Sequence, residues 1–144
     1  MRLSKTVEQA CCILSILAEH HGQPVTNVEL NERMNVSQSY LTKITRKLVI
    51  AGIITSAQGV KGGFILARPM TSITLGDVVK ATDGSAPFFR PTNLIKQAFP
   101  AREYITRKGV KLLHDAFTQA EQKWFEGVNL ATMEQLISKA KTTR

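Results

Sequence analysis

The order of elements constrains this chain most: three helical patterns are followed directly by two short strand patterns, all between Ser4 and Ala67. Val7, Ala10, Cys11, Leu14, Leu17 and Ala18 recur at helical spacing on one face. Ser4 is placed to cap that helix, and Gly22-Gln23-Pro24 breaks it after about His21. Ile13, Ile16 and Cys12 widen the apolar face, so the helix is expected to pack on two sides. Val25-Thr26 suffices for a single β-bridge. Thr26-Asn27-Val28-Glu29 has capping-box spacing and opens a second helix to about Met34, and Asn35 suits a left-handed turn. Ser37 caps a third helix to about Ala51, buried through Leu41, Ile44 and Leu48, with Gly52 as its stop. Ile53–Ala57 and Gly63–Ala67 then read as strands around the turn Gln58-Gly59-Val60-Lys61-Gly62.

This is the order of a winged helix-turn-helix. A short second helix and a tight turn hold the third helix proud of the core, where its polar side can enter a DNA major groove about 12 Å wide. That side carries Gln38, Ser39, Thr42, Lys43, Arg46 and Lys47. Hydroxyls and amides can bond base edges or phosphates, while Lys and Arg neutralise phosphates or bind guanine. Gln58 and Lys61, among the glycines of the hairpin tip, can approach a minor groove closely.

Charge supports a polyanionic partner. The 144 residues carry 19 Lys and Arg against 11 Asp and Glu, a net charge of +8. From Arg33 to Gly76 there is no acid, but there are Arg33, Lys43, Arg46, Lys47, Lys61 and Arg68. Such a run is a candidate for facing phosphates. The alternative is a winged-helix module that sets this basic face on an acidic protein. An enzyme is not expected: no nucleophile elbow, phosphate loop or zinc-protease motif is present, and the acids are scattered singly.

Beyond the hairpin, Pro69 ends the second strand and Thr74-Leu75-Gly76-Asp77 opens a short helix to about Thr82. Residues 85–101, with Pro87, Pro91 and Pro100, read as an irregular connector. One long helix follows from Arg102 to about Val128. Its apolar line is Ile105, Gly109, Leu112, Ala116, Ala120, Trp124 and Val128, flanked by Leu113, Phe117 and Phe125. Thr132 caps a last short helix. A chain this small cannot cover so much apolar helix surface by itself, so the long helix is expected to pair with a second copy. The expected fold is mainly α with a small β-hairpin. Residues 1–84 form a winged head, 85–101 a connector, and 102–144 the dimerisation helix and its short successor.

The segment Gly59-Val60-Lys61-Gly62-Gly63-Phe64-Ile65-Leu66-Ala67-Arg68-Pro69, followed by Ile73-Thr74-Leu75 and Val78-Val79, closely resembles the Rrf2 family of bacterial transcription regulators. Met1-Arg2-Leu3-Ser4 and Ser39-Tyr40-Leu41 through Ala51-Gly52-Ile53-Ile54 resemble the same family. The resemblance implies a homodimeric regulator, most simply a repressor, on a palindromic operator in double-stranded DNA. It implies Ser37, Ser39, Tyr40 and Lys43 at the major-groove helix and the Gln58–Lys61 tip at the minor groove, and Arg2 joins this DNA-binding set. Many members hold an iron–sulfur cluster on three connector cysteines. Residues 85–101 here contain none, so no cluster is expected.

An input is expected as well. Phe88, Phe89, Arg90, Leu94, Ile95 and Phe99 are a candidate sensor pocket for an unidentified small molecule or protein. The only cysteines, Cys11 and Cys12, are adjacent, which rules out a disulfide framework. Cys11 is expected in the core stripe and Cys12 against the long helix. His20, His21 and His114 have no metal-ligand spacing, so no metal site is expected. Arg2 and Lys5 ahead of Ala10–Ala18 imitate a leader peptide. Glu8 and Gln9 interrupt the approach, and Glu19-His20-His21 offers no cleavage site. No apolar run would span a membrane, and the lack of a disulfide framework fits a reducing compartment. The resemblance implies a bacterial cytoplasmic, nucleoid-associated protein.

Overall fold

Apolar spacing decides which face each helix buries. The computed structural model describes residues 2–60 and 62–142. Its elements are α1 (Lys5–Glu19), α2 (Asn27–Met34), α3 (Gln38–Ile50), β1 (Ile54–Ala57), β2 (Gly63–Leu66), a 3-10 turn (Met70–Ser72), α4 (Leu75–Asp83), α5 (Leu94–Ala98), α6 (Glu103–Asn129) and α7 (Met133–Thr142). Two compact units emerge. One combines residues 2–84 with 128 onward, and the other is 85–127.

In the first unit, α1 buries Val7, Ala10, Ile13, Leu14, Ile16 and Leu17. These residues meet Leu41, Ile44 and Leu48 of α3 and Val78 and Val79 of α4 in one core. Each fully buried Leu or Ile contributes about 1.5–3 kcal/mol. β1 and β2 pair antiparallel with Ile54 opposite Leu66 and Ala57 opposite Gly63. Val25 adds the single bridge expected of it, exchanging both backbone bonds with Phe64 at 3.0 and 2.8 Å.

The capping boxes of α2 and α4 form as the spacing predicts, and Asn35 adopts the left-handed conformation (φ 50°). Thr132 and Gln135 close a reciprocal pair at the start of α7. Two caps differ. Ser4 and Ser37 occupy N-cap positions without capping hydrogen bonds. Ser4 instead gives its backbone N–H to Asp83 Oδ2 (2.8 Å) and its hydroxyl to Asp83 Oδ1, which ties the start of α1 to the end of α4.

Residues 128 onward belong with the head rather than with the long helix, contrary to the boundary expected from the sequence. Backbone bonds Leu75 N–H to Ala131 O (2.9 Å) and Met133 N–H to Ile73 O (2.8 Å) hold them there, and Met133 is buried. The Thr74 hydroxyl accepts from the Asp77 N–H (3.1 Å) and donates to Asn129 Oδ1 (2.9 Å). Gly76 makes this approach possible: a Cβ there would lie 2.0 Å from Asn129 Oδ1.

The second unit also departs from the expectation. The connector is not irregular throughout, because Leu94–Ala98 form the short helix α5. Phe89 stacks on Phe117 (centroids 4.8 Å), and Phe88 packs edge-on to Trp124 (5.5 Å). The Phe88 N–H donates to Glu121 Oε2 (3.3 Å).

Two outcomes are expected. Gly63 has φ +149°, and a Cβ there would meet Val25 O at 2.6 Å. Gly63→Ala therefore destabilises the head by about 2–4 kcal/mol, measured by urea unfolding. Asp77 has its carboxyl pushed up by partial burial. Hydrogen bonds from the Thr74 backbone and from Arg68 outweigh that and hold it below the ordinary value. The stabilisation is complete above the ordinary aspartate range and is lost as pH falls through the lowered folded value. Asp77→Asn lowers the urea midpoint at neutral pH and flattens its decline below about pH 4.

Candidate nucleic-acid interface

Burial of Leu41, Ile44 and Leu48 leaves the opposite face of α3 in solvent, where Gln38, Ser39, Thr42, Lys43 and Arg46 are exposed. Lys43 and Arg46 make no ion pair or hydrogen bond among the described residues. The Thr42 hydroxyl donates to Gln38 O (2.9 Å) and receives a long contact from Asn27 Nδ2 (3.5 Å). Ser37 and Ser39 hydroxyls lie 3.5 Å apart. This face has two cations, short hydroxyls and one amide, a set able to contact phosphates and base edges together.

Two residues assigned to this face are held elsewhere. Lys47 is exposed along its stem, but its ammonium donates to Thr82 O near the end of α4. Tyr40 is half-buried with its hydroxyl 3.0 Å from Thr6 Oγ1 of α1. Both fix α3 against its neighbours. Thr6 and Asn27 were not singled out by sequence reasoning, since no local pattern marks a residue whose partner lies on another helix.

The acid-free run also shrinks as a basic surface. Arg33 pairs with Glu19 at 2.9 Å. Arg68 pairs with Asp77 at 3.1 Å and also bonds Ser72 O. Lys61 lies outside the described residues. Lys43 and Arg46 therefore remain as the cations of this run, among the described residues, with no protein partner. At the hairpin, Gln58 is exposed beside Gly59 (φ 141°). Arg2 is exposed at the chain start.

A family model described as "Rrf2: Iron-dependent Transcriptional regulator" matches residues 3–139. This chain belongs to the Rrf2 family. YwgB of Bacillus subtilis (strain 168), an HTH-type transcriptional regulator by name, is 33% identical over 125 residues, covering 86% of this chain and 76% of YwgB. The HTH-type transcriptional regulator CymR of the same strain is 27% identical, covering 82% of this chain and 86% of CymR. Escherichia coli IscR is 33% identical over 86 residues, but only 53% of IscR is covered. Among solved structures, CymR of B. subtilis, titled the global cysteine regulator, superposes with a TM-score of 0.65 at 24% identity, covering 96% of this chain and 98% of that one. IscR of T. potens gives 0.63 at 18% identity, covering all of this chain and 92% of that one. The fold is thus the winged helix of this family, and this Rrf2 chain is a DNA-binding transcription regulator.

The family description names iron, but the donors present do not fit an iron site. No group of three His, Cys, Asp or Glu is close enough to hold a metal among the described residues. Cys11 is half-buried, and burial, reinforced by its neighbour Cys12, pushes its thiol up to about 11. A thiol so raised is protonated at neutral pH and is a poor ligand or nucleophile. Cys12 is exposed, not packed as expected from the sequence. Among the described residues, no helix is long and apolar enough to cross a membrane.

Free and engaged cations should separate in a salt titration of duplex DNA binding. Lys43→Gln or Arg46→Gln weakens binding and, where the lost contact is to phosphate, flattens the log–log salt slope by about 0.9. Lys47→Gln leaves the slope within error and lowers the urea midpoint instead.

Proposed function

We propose that this Rrf2 chain is a cluster-free repressor that binds a palindromic operator as a homodimer in the bacterial cytoplasm. The observation carrying this reading is the uncovered face of α6. Ile105 and Leu112 are 62% and 61% exposed, and Leu113 is exposed beside them. Gly109, Ala116 and Ala120 lie along the same stripe and would let a second backbone approach closely. Among the described residues, Thr106 is the one buried residue of this 27-residue helix. Apolar residues at that density favour a symmetric partner, and a two-fold dimer presents two groove helices to two half-sites. Repression requires only occupancy of such a site.

The dimer residues divide. Phe117 and Trp124 are partly covered by Phe89 and Phe88 of the same chain, and Val128 borders Gly76 in the head. Ile105, Leu112, Leu113, Ala116 and Ala120 are left for the partner. The cluster-free reading is supported by the cysteine-free connector and by the lack, among the described residues, of a third donor grouped with Cys11 and Cys12.

Sedimentation and gel shifts test the assembly together. Leu112→Glu places an unpaired carboxylate in the seam and raises the dimer dissociation constant by about a hundredfold, with a parallel loss of operator affinity. Wild-type protein that is monomeric yet binds the operator at full strength refutes the proposal. A flat salt response would favour the acidic-protein partner.

A further inference from the structure

We propose that the unit of residues 85–127 carries a binding site for a small organic carboxylate, built on Lys96 and Arg107. A cavity of about 290 Å³ lies between the segment around α5 and the first turns of α6, lined by Thr92, Asn93, Lys96, Glu103, Thr106 and Arg107 among others. At about 30 Å³ per water-sized group, this holds roughly ten non-hydrogen atoms, a metabolite-sized ligand. The candidate sensor residues Phe88, Phe89, Arg90, Leu94 and Phe99 do not line it. Phe88 and Phe89 are occupied against α6, while Leu94 and Phe99 are exposed.

The lining favours an anion. Lys96 and Arg107 make no ion pair or hydrogen bond among the described residues. Glu103 and Arg107 stand four residues apart on α6, the spacing of a helical ion pair, yet they do not pair. Elsewhere on the same helix Lys111 and Asp115 do pair at that spacing (2.5 Å). Thr106 is only 6% exposed, and its hydroxyl hydrogen is spent on Glu103 O (2.9 Å). The guanidinium of Arg107 can take a carboxylate through two parallel bonds, and Lys96 adds a point charge. Glu103 limits the net charge of the lining to +1, which suits a monoanion and penalises a multiply charged phosphate.

The site is independent of the groove assignment, because none of the DNA-facing residues belongs to it. Amide spectra of the full chain, titrated with butyrate, glutamate, inorganic phosphate and the neutral control butyramide, test it. Either carboxylate is expected to shift the amides of residues 92–96 and 103–110 saturably, and butyramide is not. Arg107→Gln weakens the response about tenfold and Lys96→Gln about threefold, with the rest of the spectrum unchanged. DNA affinity of both variants without added anion stays at the wild-type value. The absence of a saturable shift with both carboxylates, or a shift unchanged in both variants, removes the site. Phosphate binding more tightly than the carboxylates overturns the ligand class.

Discussion

One-sided burial of α3 is the constraint from which the head takes its shape. Leu41, Ile44 and Leu48 enter the core shared with α1 and α4, so the opposite residues have nowhere to go but solvent. Thr45 lies inside the apolar stripe and is fully buried, a position that would be costly for an unpaired hydroxyl. It returns its hydrogen to Leu41 O (3.0 Å) and Thr42 O (3.2 Å), so the stripe stays dry without a stranded donor. Thr82 of α4 repeats the device, bonding Val78 O (2.9 Å). Its carbonyl, one of those a helix end leaves unsatisfied, accepts from Lys47. The packing that exposes Lys43 and Arg46 thus removes Lys47 from the same surface.

A second joint ties the far end of the chain to the head. Arg68, Thr74, Asp77 and Asn129 form one hydrogen-bonded chain around Gly76. Arg68 and Asp77 are about a third exposed, so the charge pair alone is worth little. Its value is positional. Asp77 accepts from the Thr74 N–H at 3.0 Å, and Thr74 holds Asn129, the last residue of α6. Residues 128 onward are therefore held at a defined place on the head.

What the sequence made legible follows from the range of each interaction. Capping boxes at Thr26 and Thr74 act over three residues and can be read directly. So can the stripes of α1 and α3, whose period is local. Ser4, Tyr40 and Lys47 could be placed on their elements but not given their partners, because Asp83, Thr6 and Thr82 lie 79, 34 and 35 residues away. The acid-free run misled for the same reason: the acids that neutralise Arg33 and Arg68 lie outside the run, at Glu19 and Asp77. Cys12 defeated the periodic reading differently. It sits beside Ile16 on the helical wheel, yet that edge of α1 is open to solvent. In the connector, proline spacing concealed the turn of helix at Leu94–Ala98, and no local pattern marked the cavity that Lys96 and Arg107 line beside it.

Net charge is therefore a weak guide to where this molecule meets an anion. Lys108 and Lys123 of α6 also lack protein partners among the described residues, and an isolated ammonium on a convex helix is adequately served by water. Context separates the useful cations from these. Lys43 and Arg46 stand on a helix face whose backbone is held by its own core and accompanied by short hydroxyl groups, so only their side-chain rotamers remain to be ordered on a phosphate backbone. Lys96 and Arg107 border a concavity, and an acid four residues away has not claimed the guanidinium. In both places charge is left unsatisfied by the fold itself and is carried on an ordered helix. That combination, rather than an excess of basic residues, is the physical signature of a surface prepared for a negatively charged ligand.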